Sequence, residues 1–300
     1  MYIQLNERRS FTAELPGRTI TDLEIDSEWN GLTKLVHPAS GLYLIVMRDV
    51  GMIVDGSESL INELLAPTVS PGYIHVPGRT ITIGKYSIDV APFSVAQYIN
   101  CVDSNGKAYV SETETPRVKI NYQKSKEACE LDGGGLLRGS QHLALAMDIM
   151  SVPENWSGGK VGEGILYRGL HKETVSGAVA GTYESGQHDE RRWHVLPTGD
   201  RIYDFAGHLY TWMHDDIHGN ADGLTGKIPS DSPYLVIGSK FKQSQGMGWR
   251  PDGARDWSGG ALVRGGCWDS GGRAGVFRLD RGSPGCEGGY VSFRCTKSLG

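Results

Sequence analysis

Glycine constrains this chain more than any other residue. It supplies 42 of 300 positions, about double the ~7% of an average protein, and it recurs most densely after residue 246. Glycine loses more conformational freedom on ordering than any other residue. A segment so rich in it therefore cannot form long helices or strands, and it must be loop held in place by large apolar groups. Trp249, Trp257, Trp268, Val276, Phe277 and Phe293 are spaced through that region. Burying each supplies ~1.5 to 3 kcal/mol, so they are the expected anchors, and the small or polar residues between them are free to differ without cost to a core.

The chain is long enough for one large domain with a smaller appendage. At 39% hydrophobic and 22% charged it has the composition of a globule, and no run approaches the ~18 to 20 apolar residues of a membrane span. A net charge of -5 without a Lys/Arg block gives no footprint for a nucleic-acid partner. The first residues, Met1 to Arg9, carry charges where a signal peptide needs an apolar core, so synthesis in the cytoplasm without a signal peptide is expected. Cys101, Cys129, Cys267, Cys286 and Cys295 include no C-x-x-C pair and are expected as separate reduced thiols, Cys295 packing as a small hydrophobe.

Short alternating runs such as Leu42–Met47 and Gly51–Asp55 predict a small β-rich N-terminal module over 1–76, ended by the crowding of Pro67, Pro71 and Pro77. The remainder, 77–300, reads as a second domain. Ile81–Val90 predicts a strand and Pro92–Asn100 a helix opened by its proline. A further helix is expected over Tyr122–Leu131, capped by Asn121 and ended by Gly133 to Gly135. Ser140 caps another, with Leu143, Ala146, Met147 and Met150 at helical spacing. Helical periodicity fades beyond Pro153, so the domain is α+β with long surface loops.

Few constellations carry chemistry. His214, Asp215, Asp216, His218 and Asp222 crowd together, but with neither the His-Glu-x-x-His helix nor the spacing of a calcium loop. No cofactor is expected; calcium is the ion this cluster would take, and the competing reading is a solvated acidic loop. Cys286 and Cys295, next to Arg294, have the residue types of a nucleophile or copper pair. There is no Gly-x-Ser-x-Gly elbow, and the Gly-rich turns lack the Lys-Ser/Thr of a phosphate loop.

Four motifs occur in order: Gly84 to Tyr86 with Ala96 to Tyr98, Ile202–Met213, Arg264-Gly265-Gly266-Cys267-Trp268, and Phe293-Arg294-Cys295. Over about 77 to 297 they resemble the formylglycine-generating-enzyme type of C-type lectin fold, whose signature is Arg-Gly-Gly-x-Trp followed by Gly-Phe-Arg-Cys. His208, Thr211 and Ser292 depart from the family's Asn, Glu and Gly. In those enzymes two cysteines five positions apart hold copper. Here the second is Cys295, but Tyr290 stands at the first, and a phenol does not replace that thiolate. A copper- or metal-dependent oxidase of the formylglycine-generating or sulfoxide-synthase type is therefore the alternative reading, and no enzyme activity is expected.

The chain resembles more closely the variable proteins of diversity-generating retroelements, including phage tail receptor-binding proteins. That resemblance implies a variable region over about 246–297, rewritten by adenine-directed mutagenesis of template codons such as AAC. Changing only the adenines of AAC reaches Cys, Asp, Ser, Gly, Arg and Tyr, never Glu, Gln, Lys, Met or Trp. Cys267, Asp269, Ser270, Arg273, Arg278, Asp280, Cys286, Gly288, Gly289 and Tyr290 all fall in the reachable set and form the expected ligand-binding surface, with Arg273, Arg278 and Tyr290 as anchors. Arg264, Trp268, Phe277 and Phe293 are the expected scaffold. The resemblance further implies a host cell-surface protein or glycan as partner, a homotrimer, and a place on a virion tail or cell surface, without nucleic acid or membrane insertion.

Overall fold

The computed structural model describes residues 10–15, 18–29, 32–36, 43–47, 52–56, 69–236 and 241–299. It divides into two units, residues 1–68 and 69–299.

In the first unit the strands Ser10–Leu15, Arg18–Trp29, Leu32–Val36, Tyr43–Met47 and Met52–Gly56 pair antiparallel in sequence order. Leu32–Val36 alternates between part-buried and buried positions, the period-2 signature of a sheet with one covered face. Leu35 and Leu44 stand opposite each other, both fully buried.

The second unit is built on two sheets. In the first, Tyr73–Val76, Phe93–Ala96, the closing strand Cys295–Ser298 and Gly135–Leu136 lie side by side, all antiparallel. Tyr73–Val76, which precedes the last of the clustered prolines, thus belongs to this unit. Phe93–Ala96 corrects the helix expected after Pro92. All four of its residues are buried, and with a strand on either side its backbone is paired in both directions, which outweighs a weak helical period. The strand expected over Ile81–Val90 is a hairpin, Arg79–Ile83 against Tyr86–Val90, because Gly84 takes φ of 57° and turns the chain.

Both further helices form. Tyr122–Leu131 is capped by Asn121, whose side chain accepts from the Lys124 N–H at 2.9 Å. Gly139–Ser151 begins one residue before the expected cap, and Ser140 instead turns its N–H and hydroxyl onto the Asp216 carboxylate. Leu143, Ala144, Leu145, Ala146 and Ile149 are completely buried against the strands. Cys129, on the first of these helices, is disulfide-bonded to Cys295 on the closing strand. This corrects the expectation of separate thiols: the partners lie 166 residues apart, a separation that leaves no local spacing to read.

The second sheet runs Leu279–Gly282, Ala261–Arg264, Tyr210–Met213, Val291–Phe293, with only the last pairing parallel. Trp212 at its centre is buried and donates its indole N–H to the Ile120 carbonyl at 3.0 Å. Both ends of the unit meet in one sheet, two helices pack on it, and long loops leave the other. This is the α+β arrangement with long loops that the sequence predicts. No helix among the described residues is long and apolar enough to cross a membrane.

Candidate functional surface

The Gly-rich segment after residue 246 is positioned by its own motif. After Ala261–Arg264 the chain reverses through Gly265 and Gly266, at φ of 83° and 92°. A Cβ at Gly265 would meet the Phe205 carbonyl oxygen at 2.9 Å, and one at Gly266 the Ala274 backbone at 3.1 Å, so both positions need glycine for conformation and for space. Arg264 points inward, fully buried, its guanidinium 4.5 Å from the centre of the Tyr234 ring. Burial lowers its pKa to about 10. Phe277 and Phe293 are also fully buried.

Beyond this reversal the loop is laced by short contacts. The Cys267 N–H donates to the Ser270 hydroxyl at 2.9 Å, and the Cys267 thiol donates to Asp269 at 3.0 Å. Burial, and next the bond to Asp269, push the Cys267 thiol up to about 12, so it is protonated at neutral pH and is no nucleophile. The turn Gly271–Arg273 follows, its last carbonyl accepting from the Trp249 N–H at 2.9 Å.

Arg278 then reaches back under the loop. Its Nη2 donates to the Tyr210 hydroxyl at 2.6 Å and to the Asp280 carboxylate at 2.8 Å, and its guanidinium lies 5.1 Å from the Trp249 ring centre. Tyr290 stands edge-on to Tyr210, ring centres 6.4 Å apart, with the Cys286 sulfur 3.6 Å from its hydroxyl. That neighbouring thiol is the main reason the Tyr290 phenol is pushed upward. Burial raises the Tyr210 phenol, against the opposing charge of Arg278. Tyr210 is thus the hub on which the Arg278 and Tyr290 arms of the segment converge.

The predicted surface residues sort into two levels. Asp269, Arg273 and Tyr290 are exposed, and Asp280, Cys286, Gly288 and Gly289 are partly so. Cys267, Ser270 and Arg278 are buried and form the floor. Of the three expected anchors, Arg278 is thereby corrected. At 4% exposure it positions Tyr210 and Asp280 and is covered from solvent. Trp268 is a second correction, half-buried where scaffold was expected, because its backbone is fastened to His208 and Glu173 while Cys267 takes the inward place. Trp249 is likewise only partly buried.

Tyr210 was missed. It opens the motif strand Tyr210–Met213, where its neighbour Trp212 draws attention, and its partner Arg278 is 68 residues away. An aromatic with a polar tip at the start of a core strand is the one local sign of its role.

The His/Asp cluster is drawn into structural work. Asp215 is buried, accepts from the Tyr234 hydroxyl at 2.7 Å and from the Ile217 and His218 N–H groups. Asp216 caps the second helix, and His218 Nε2 lies 2.6 Å from the Ser232 hydroxyl. Among the described residues, no group of three His, Cys, Asp or Glu side chains converges as a metal site.

No family model matches the chain, and no curated protein matches it. Solved structures do. PvdO from Pseudomonas aeruginosa is similar at 14% identity and a TM-score of 0.38, covering 76% of this chain and 94% of its own. Treponema denticola variable protein 1 is similar at 14% identity and a TM-score of 0.37, covering 75% and 94%. The Major Tropism Determinant U1 Variant is similar at 12% identity and a TM-score of 0.38, over 90% of this chain but 64% of its own.

Proposed function

We propose that the chain is a ligand- or receptor-binding protein that displays a retroelement-diversified surface on a C-type lectin fold, carried on a viral tail or cell surface and directed at a host surface protein or glycan. The observation that carries this reading is the convergence around Tyr210. Arg278 and Tyr290, both reachable by adenine mutagenesis, meet at Tyr210, and exposed Asp269 and Arg273 belong to the loop whose Arg273 carbonyl Arg278 reaches. Exposed polar and aromatic groups on a fixed base recognise partners as antibody loops do.

The oxidase alternative loses ground on one observation. Cys295, the only copper cysteine that the resemblance supplies, is held in the disulfide with Cys129, and a disulfide sulfur has no thiolate to offer a metal. Binding without turnover is the reading supported.

The test is a library randomised at Asp269, Arg273, Cys286, Gly289 and Tyr290, with Asp280 kept as the partner of buried Arg278. Members should keep their melting temperature to within about 0.5 kcal/mol of stability while changing which cells or glycans they bind. Widespread unfolding across the library, or unchanged binding throughout it, would reject the proposal.

A further inference from the structure

The turn Gly271–Arg273 also borders a cavity of 340 Å³ whose remaining walls lie outside the variable segment, among them Ile165, Tyr167, Arg168, His171 and Lys172. Arg168 is the unusual member. It is 9% exposed, yet among the described residues no carboxylate oxygen lies within ion-pair distance of it. One Nη2 donates to the Ser244 carbonyl at 3.0 Å, and its buried Nε has no partner. The acidic side chains nearby are already committed. Asp189, whose charge reaches Arg168, is ion-paired with Lys172. Glu190 is buried and accepts from the His171 and Lys172 N–H groups at 2.9 and 2.8 Å and from the hydroxyls of Thr174 and Ser185.

A buried guanidinium without a counter-charge is costly, and burial lowers its pKa accordingly. Its planar fork of donors matches a carboxylate, which would bond the Nη1 end beside Gly272 and supply the missing charge. The size of the cavity suits a single small ring. Tyr167 and Ile165 offer it an apolar wall, and His171, His188 and Lys172 offer polar groups at the rim.

We propose that this cavity is a subsite for an acidic sugar ring, its carboxylate held by Arg168 and its ring face laid against Tyr167. Only Gly271 and Gly272 are contributed by the variable segment, so the subsite is constant while the neighbouring surface changes, and it stands whether or not that surface is diversified. Gly272 supplies the control. A Cβ there would sit 3.7 Å from Arg168 Nη1, an ordinary contact, so a side chain is accommodated at the mouth without strain.

The experiment is calorimetric titration of the full chain with methyl glucuronoside, with methyl glucoside and inorganic phosphate as parallel arms. Saturable binding of the glucuronoside is expected. It should weaken by about tenfold or more in Arg168→Gln, as loss of a charge-assisted pair requires, and by a similar factor for the neutral glucoside. Phosphate should not compete. Gly272→Leu should block binding at an unchanged melting temperature, which decides the matter if Arg168→Gln fails to fold. Absence of glucuronoside binding, equal binding by Arg168→Gln or Gly272→Leu, or equal competition by phosphate would overturn the proposal.

Discussion

Asp204 accepts from Arg192 through both oxygens, at 2.8 and 2.5 Å, and lies 3.0 Å from His208 Nδ1, with all three side chains buried. The Val179 N–H donates to His208 Nε2, which places the imidazole proton on Nδ1, facing the carboxylate. Here is the reason for one departure from the family motif: histidine at 208 joins the Val179 loop to Asp204. Burial alone would raise the Asp204 pKa, but His208 and Arg192 hold it well below the carboxylate range. Asp204→Asn should therefore cost ~3 to 5 kcal/mol, since it strands Arg192 without its counter-ion; a denaturant titration showing a loss below ~1 kcal/mol would refute the role. His194 gives the pH dependence. Burial lowers its pKa to about 4, below the ~6.5 of an unfolded chain. Because the folded value is depressed, the stability is full above pH ~6.5 and drains away as pH falls toward 4. The loss is on the order of 3 kcal/mol. Thermal melts across that window should show the decline, and His194→Gln, which keeps a donor for the Tyr167 carbonyl, should shrink it, leaving the share of His142, whose pKa burial also lowers.

Among the elements, the helix Tyr122–Leu131 and the closing strand Cys295–Ser298 are joined covalently. Titration of the unreduced, denatured chain should find three thiols, those of Cys101, Cys267 and Cys286; a count of five would remove the bridge. Reduction should cost ~2 to 5 kcal/mol. What was legible in the sequence follows from range. Asn121 and Leu143 to Ile149 act within a turn or two, so cap and periodicity predicted both helices. Phe93–Ala96 became a strand because Tyr73–Val76 and Cys295–Ser298 flank it, the latter two hundred positions later, and the Cys129 and Tyr210 partnerships are also long-range, at 166 and 68 residues. The candidate surface was legible through codon logic and glycine content, but which of its members are floor could not be read before Arg278 was seen to reach Tyr210. Fully buried Phe277 and half-buried Trp268 make that distinction testable. Phe277→Ala should cost ~3 to 5 kcal/mol and Trp268→Ala clearly less, as measured by chemical denaturation.

At the scale of the whole molecule, both sheets, both helices and the disulfide lie within residues 69–299. That fragment should melt in a single transition with the bridge intact; a broad, non-cooperative melt would show that it needs residues 1–68. Within it, the closing strand occupies an inner place in the first sheet, between Phe93–Ala96 and Gly135–Leu136. A ribosome delivers that strand only after residues 246–294 have been made. A chain that stops short of Cys295 has a first sheet with two unpaired edges, open to aggregation and proteolysis. Folding thereby acts as an inspection of the finished chain, since the sheet closes only once Cys295–Ser298 has been made.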